Sequence, residues 1–447
     1  MPHRSKMSLA QLTLLTTISM MGSSIALLPT ELAQVGTISI LSWLVTAVGS
    51  MCLAYAFAKC GLFSKKQGMG GYSEYAFGKS GHFMANYTYA VSLLFANIAI
   101  AITCVGYGAT LFDVELSTVE TCCWTLVVIW LCSMLSFLGA RITGNISGVA
   151  VWCVIAPVVT LSVIGWWWFD PDMYVASWNP HNEPFTSAVS SSISMTLWCF
   201  LGLESACVNC DNVDNPERNV PIAVMTATCT VAVICIASTN IIAGIIPNAE
   251  LAASNAPFGL VFARMFAPEA GHIVTAMLVF SCLGSTLSWQ YTIAKVFQLS
   301  AREGFFPSVF SKVKRWGFPA VGLIIITLIQ TGFTFMTASP SLLKQFNMLV
   351  DLAVVTNLIP FILSMAAIPM IMKMANVPVA QTRKYTFFGL IGAIYSFYAI
   401  SSLGYVEMFW GSMATFVGWT FWGFLSTKYA DEHPIHLLRD SQFEDID

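Results

Sequence analysis

Apolar stretches of about 20 residues, the length that carries a helix across the hydrocarbon of a bilayer, recur along the whole of this chain. They fall near 11–33, 37–59, 82–112, 118–138, 146–169, 186–209, 219–246, 271–300, 318–338, 345–373, 385–403 and 405–427. What remains cannot cover a water-facing surface, because 10% of the 447 residues are charged and 56% are hydrophobic. Ordinary soluble domains carry roughly 25% charged residues. The expectation is an all-α integral membrane protein with twelve transmembrane helices. A net charge of −3 and the lack of a basic tract give no reason to expect a nucleic-acid partner.

The basic start MPHRSKMSLAQ leads into an apolar run reaching Leu28 and Pro29. No small-x-small cleavage site follows and further spans come at once, so the run reads as a retained first helix, not a signal peptide. Lysines and arginines orient the rest. Seventeen of the 20, from Arg4 and Lys6 to Lys428 and Arg439, fall on one side of the twelve spans. Arg264 and Lys344 fall on the other, and Lys295 lies late in the eighth span. The positive-inside rule then places both termini in the cytoplasm.

Two spans are interrupted. The first reads TTISMMGSSIALLPTEL, with Gly22, Ser23 and Ser24 at mid-membrane; the sixth reads SMTLWCFLGLESAC, with Gly202 and Glu204 there. Each break falls in the first helix of a five-helix set, and because five is odd the second set enters from the opposite side. Matched broken helices in inverted halves point to the midplane site of a secondary transporter. The expected organisation is a cytoplasmic N-terminus (1–10), a first repeat (11–169), a second, inverted repeat (186–373), two additional helices (385–427) and a cytoplasmic tail (428–447).

A helix broken at the midplane frees backbone N–H groups of its following half, an electropositive end suited to a carboxylate. Taken alone, the Gly22-Ser23-Ser24 break is as well explained by close helix packing. Glu204 tips the balance. A carboxylate at mid-membrane costs at least about 2.5 kcal/mol on insertion scales, so it faces a cavity or a partner. The sole internal cation in reach by sequence, Lys295, lies too far toward the cytoplasmic end. Glu204 is therefore expected to hold a proton or await a cationic substrate. Trp198, Trp289 and Tyr89 could offer aromatic faces to an alkylammonium, although most of the 14 tryptophans belong to packing or interfacial anchoring, as the WWWF run at 166–169 does. Asn97 and Asp351 are lesser polar marks, and Glu74 belongs to a cytoplasmic segment, on a solvated or gate-side helix.

Other classes fare worse. Cys207 and Cys210 form one CxxC with no second pair and no nearby histidine, so neither a metal site nor a cofactor is expected. All six histidines lie at termini, loops or span ends, which disfavours a membrane-embedded enzyme. Broken helices in matched halves favour an occluding carrier over a channel.

The segments MGSSIALLPTELAQVGTISILSWLVTAVGS, GGYSEYAFGKSGHFMANYTY, SMTLWCFLGLESA with NPERNVPIA, and CLGSTLSWQ together resemble the basic amino acid/polyamine antiporters of the amino acid–polyamine–organocation superfamily. The likeness runs over roughly residues 8–430 and is closest to the putrescine–ornithine branch. It implies the five-plus-five inverted-repeat fold with two extra helices, often as a homodimer, in the bacterial inner membrane. It also implies exchange of ornithine for putrescine by alternating access, with proton-coupled putrescine uptake as a second mode. Lysine–cadaverine and arginine–agmatine exchange are the neighbouring alternatives. By position, the family's glycine motif falls on Gly22, Ser23 and Ser24, its third-helix Tyr and Asn on Tyr89 and Asn97, its sixth-helix Trp and Glu on Trp198 and Glu204, and its eighth-helix Trp on Trp289. Ser24 departs from the family's glycine, adding a Cβ and a hydroxyl beside the unwound backbone.

Overall fold

A computed structural model describes residues 7–66, 68–204, 207, 213–312 and 319–427. The elements that build the site are α1 (Leu9–Met21), α2 (Leu28–Val35), α3 (Ser39–Phe63), α4 (Gly68–Leu111), α5 (Thr118–Ser136), α6 (Ala140–Ile164), α7 (Ile193–Trp198), α8 (Pro216–Ala243), α9 (Pro268–Arg302), α10 (Ala320–Met336), α11 (Leu342–Met374), α12 (Val379–Ser401) and α13 (Tyr405–Ser426). Among the described residues, seven helices are each long and apolar enough to cross a membrane. The pair α12 and α13 passes the same criterion jointly with a 119° bend, while α1 and α10 are apolar but short. Helix length alone thus accounts for fewer crossings than the twelve expected.

Local chemistry sets where the elements begin and stop. A capping box starts α1: the Ser8 hydroxyl accepts from the Gln11 N–H at 3.3 Å, and the Gln11 side chain accepts from the Ser8 N–H at 3.0 Å. The helix ends at Gly22 (φ 8°, ψ −146°). After a 3₁₀ turn over Ser23–Ile25 the chain resumes as α2, which has Pro29 in its first turn and no side-chain cap. The second break is sharper. α7 ends at Trp198, turns follow, and Gly202 takes φ +108°, a conformation costly for residues with a Cβ.

One boundary differs from expectation. The hydropathy pattern begins the third span near 82, yet α4 starts at Gly68 and is bent at Gly78 (φ +61°). GMGGYSEYAF is therefore a helical arm placed before the membrane stretch, with Glu74 on it. Its glycines and charges resemble loop composition, but Glu74 ties it down through ion pairs to Lys66 and Lys79.

The core lies where α4 packs along α11, with α9, α3 and α8 around them. Leu44, Val48, Trp124, Val233 and Phe424 are exposed, as required of side chains that meet lipid in place of water. Trp166, Trp167 and Trp168 are exposed on a 3₁₀ turn at the end of α6, consistent with an interfacial belt.

Candidate substrate site

The two breaks lie against each other. A Cβ on Gly202 would stand 2.8 Å from the Ser19 carbonyl oxygen, so the second break rests directly on the backbone of α1. Breaking α1 strands carbonyl groups that a helix would have satisfied. Two side chains take them up: the Ser24 hydroxyl turns back to the Met20 carbonyl at 3.2 Å, and the Tyr107 hydroxyl of α4 donates to the Ala26 carbonyl at 2.7 Å. Ser24, the departure from the family pattern, is thus engaged with its own helix end.

Glu204 sits two residues past Gly202. Its Oε2 accepts from the Gly202 N–H at 3.1 Å and its Oε1 from the Tyr89 hydroxyl at a long 3.4 Å, and the residue is 5% exposed. Among the described residues no lysine, arginine or histidine pairs with it. Lys295 donates instead to Gln298 at 3.1 Å and lies over the Tyr291 ring. Two dipolar donors orient the carboxylate without cancelling its charge.

A narrow cavity lies between the breaks. Gly22, Ser24, Trp198, Glu204, Trp289 and Asn357 line it, with Leu93, Ala96 and Ile100 of α4 forming an apolar wall. Trp198 is 4% exposed and its indole N–H has no partner among the described residues. Asn357 of α11 donates to the Ser92 hydroxyl at 3.2 Å, and its buried Oδ1 has no donor among the described residues. The cavity therefore offers a carboxylate, an amide oxygen and two indoles, a set suited to an alkylammonium.

Of the residues expected at the site, Gly22, Ser24, Trp198, Glu204 and Trp289 share this cavity, and Tyr89 reaches it through Glu204. Ser23 lies on the 3₁₀ turn of the first break; its side chain lies outside the described residues. Asn97 stands behind the wall: its Nδ2 donates to Gln290 Oε1 at 2.6 Å. Gln290 Nε2 in turn lies 2.9 Å from Ser133 Oγ, 3.1 Å from Thr327 Oγ1 and 2.9 Å from Gln330 Oε1. This buried network joins α4, α5, α9 and α10 and fixes the α9 backbone that carries Trp289. Cys210, half of the CxxC, lies outside the described residues. Asn357 is an addition to the expected set, although a lone amide in VVTNLIPF is a visible polar mark; nothing in a single sequence signals that Tyr107 reaches Ala26.

Two broken apolar helices facing each other across a cavity lined by a carboxylate and two indoles fit a membrane carrier of small molecules. The chain matches the amino acid permease family over residues 7–427 and belongs to it. It is 61% identical over 426 residues to the putrescine transporter PotE of Escherichia coli K12, covering 95% of this chain and 97% of that protein. The Haemophilus influenzae protein of the same name is 58% identical over 426 residues, covering 95% and 98%. The cadaverine/lysine antiporter of Escherichia coli K12 is more distant, 32% identical over 355 residues, covering 77% and 79%.

Proposed function

We propose that this permease exchanges ornithine for putrescine across a bacterial inner membrane by alternating access, with both termini cytoplasmic, twelve crossings arranged as five-plus-five inverted repeats and two added helices, and protons as partners in putrescine uptake. The observation that carries the reading is Glu204: a buried carboxylate oriented by Tyr89 and the Gly202 N–H, with no cationic partner among the described residues, in a cavity walled by two tryptophans. An ammonium group supplies the missing charge, and the indole faces favour it by about 2 kcal/mol where water is excluded. The likeness to putrescine transporters supports the diamine. The 3₁₀ turn and uncapped α2 after Gly22 support a place for ornithine's carboxylate. A homodimer belongs to the same reading.

Exchange has an electrical consequence. Ornithine carries one net positive charge and putrescine two, so exporting putrescine for ornithine moves one charge outward. Against about 100 mV, negative inside, this costs about 2.3 kcal/mol. A diamine gradient of roughly fiftyfold offsets it.

The test is counterflow in proteoliposomes. Labelled putrescine uptake should rise when the lumen is loaded with ornithine or putrescine and rise less with lysine, cadaverine, arginine or agmatine. Faster exchange with the lysine–cadaverine or arginine–agmatine pair would overturn the substrate assignment, and uptake indifferent to internal loading would overturn exchange itself.

A further inference from the structure

A second pair of carboxylates lies apart from the cavity. Glu31, in the first turn of α2, is 4% exposed, and Asn347 and Asp351 of α11 are its polar neighbours. Glu31 Oε1, Asn347 Oδ1 and Asp351 Oδ1 are each inaccessible to water and have no hydrogen-bond partner among the described residues. Asp351 stands six residues before Asn357, about 9 Å along α11, on the outer side of the site in the proposed orientation.

Among the described residues no fixed cation balances these groups. Ser194 of α7 offers Asp351 a hydroxyl, and Glu407 of α13 adds a further negative charge. On the short helix packed against α2, Glu250 is already joined to Arg264 at 2.8 Å. Tyr107 of α4 donates to the Ala26 carbonyl. Among the described residues, no lysine, arginine or histidine faces either carboxylate.

Three enclosed acceptor atoms without a donor among the described residues are a deficit of hydrogen, and two neighbouring carboxylates drawn away from bulk water resist being ionised together. One proton removes most of it. A protonated carboxyl becomes a donor while keeping acceptor capacity, so a single O–H satisfies a neighbouring orphan oxygen and removes one charge. The atoms are too tightly enclosed for water, which leaves the proton as the cation that fits without displacing side chains.

We propose that Glu31 and Asp351 form a proton-binding pair, charged from the outer solution while α2 and α7 stand away from α11 and sealed with its proton when they close. The proton passes from water to one carboxylate before closure, and the outer gate shuts over the pair only in that form. Low external pH therefore favours closure, and the advantage is lost as pH rises through the pair's titration range. The inference rests on the alternating-access reading; it identifies the residues that would bind the proton in each closure.

The test uses the full-length protein in proteoliposomes, with putrescine on both sides and external pH varied from about 5.5 to about 8.5. The wild-type exchange rate should fall toward tenfold per pH unit at the alkaline end, while Glu31→Gln with Asp351→Asn, which resembles the protonated pair, should vary by less than about twofold. A wild-type slope in the double variant overturns the proposal. So does a wild-type rate that collapses when external sodium is replaced by choline and is insensitive to that exchange in the double variant, since the ligand is then sodium. Infrared difference spectra should show a protonated-carboxyl carbonyl band in wild type that Glu31→Gln with Asp351→Asn removes; a wild type lacking the band, or a double variant that keeps it in full, also overturns it. The spectra need no transport, so failure of the putrescine assignment leaves this readout intact.

Discussion

Glu74 and Glu204 are two nearly buried carboxylates of one chain, and they are treated in opposite ways. On the arm of α4 before Gly78, Glu74 has its side chain 10% exposed and meets Lys66 Nζ at 2.7 Å, Lys79 Nζ at 3.1 Å and His82 Nδ1 at 2.8 Å. The other ring nitrogen of His82 lies 3.2 Å from Glu303, just past α9, so the cluster pins the arm to a second helix. Glu204, between the broken helices, has two neutral donors and, among the described residues, no such cation. The chain has lysines to spend, yet it places them around the carboxylate that holds structure and withholds them from the one that faces the cavity. A fixed cation beside Glu204 would compete with any cationic ligand; a neutral oxygen donor leaves the charge to be completed from outside.

The largest expected effect is at Glu204. Glu204→Gln should weaken putrescine at least about a hundredfold, the scale of losing a buried charge pair, while Glu204→Asp falls between, as the charge remains but retreats by one methylene. Scintillation proximity binding on purified protein measures it, and unchanged affinity in Glu204→Gln would erase the contrast with Glu74. Next comes Trp198: replacement by leucine should cost about tenfold in exchange rate and replacement by phenylalanine much less, if the ring face meets an ammonium. Equal losses would reduce Trp198 to packing.

Ornithine and putrescine sharpen the comparison further. Ser23→Pro removes a backbone donor at the first break and should cost ornithine about fivefold more than putrescine, whereas Glu204→Gln should cost putrescine more. Competition binding, with circular dichroism to check folding, reads the ratio; parallel losses of both ligands in both variants would refute separate poles for carboxylate and ammonium. The smallest effect belongs to Glu74→Gln. Its partly exposed ion pairs are worth about 1 kcal/mol each or less, so the midpoint of thermal unfolding should fall by a few degrees with putrescine affinity within about twofold of wild type. A loss of affinity comparable to that of Glu204→Gln would show that the arm and the site are one unit.

The positions of the breaks can be read from MGSSI and FLGLES because glycine, serine and a carboxylate crowded into an apolar run weaken a helix that hydrocarbon would otherwise favour. The same logic marks Trp198 and Trp289, whose places along their spans fix their depth. Which face of a helix meets which neighbour is not written in one sequence. Hence Tyr107 on Ala26, Asn357 at the cavity and Asn97 on Gln290 emerge only when helices far apart in the chain are packed together. The arm of α4 is legible in part: Glu74 reads as belonging to a solvated or gate-side helix, but its continuity with the span beginning near 82 does not, and it takes the Glu74 ion pairs to show what Lys66 and Lys79 do.

The contact of Gly202 with the Ser19 carbonyl sets a rule for redesign. Because backbone meets backbone there, with no room for a Cβ, the spacing of the two breaks is a property of the main chain and cannot be retuned by exchanging side chains. Main chain thus sets the gauge of the passage, and the fittings on it are interchangeable. A carrier for a longer or shorter diamine would be sought by altering the α4 wall at Leu93, Ala96 and Ile100 or the α11 amide at Asn357, leaving the hinge of the two broken helices as it stands.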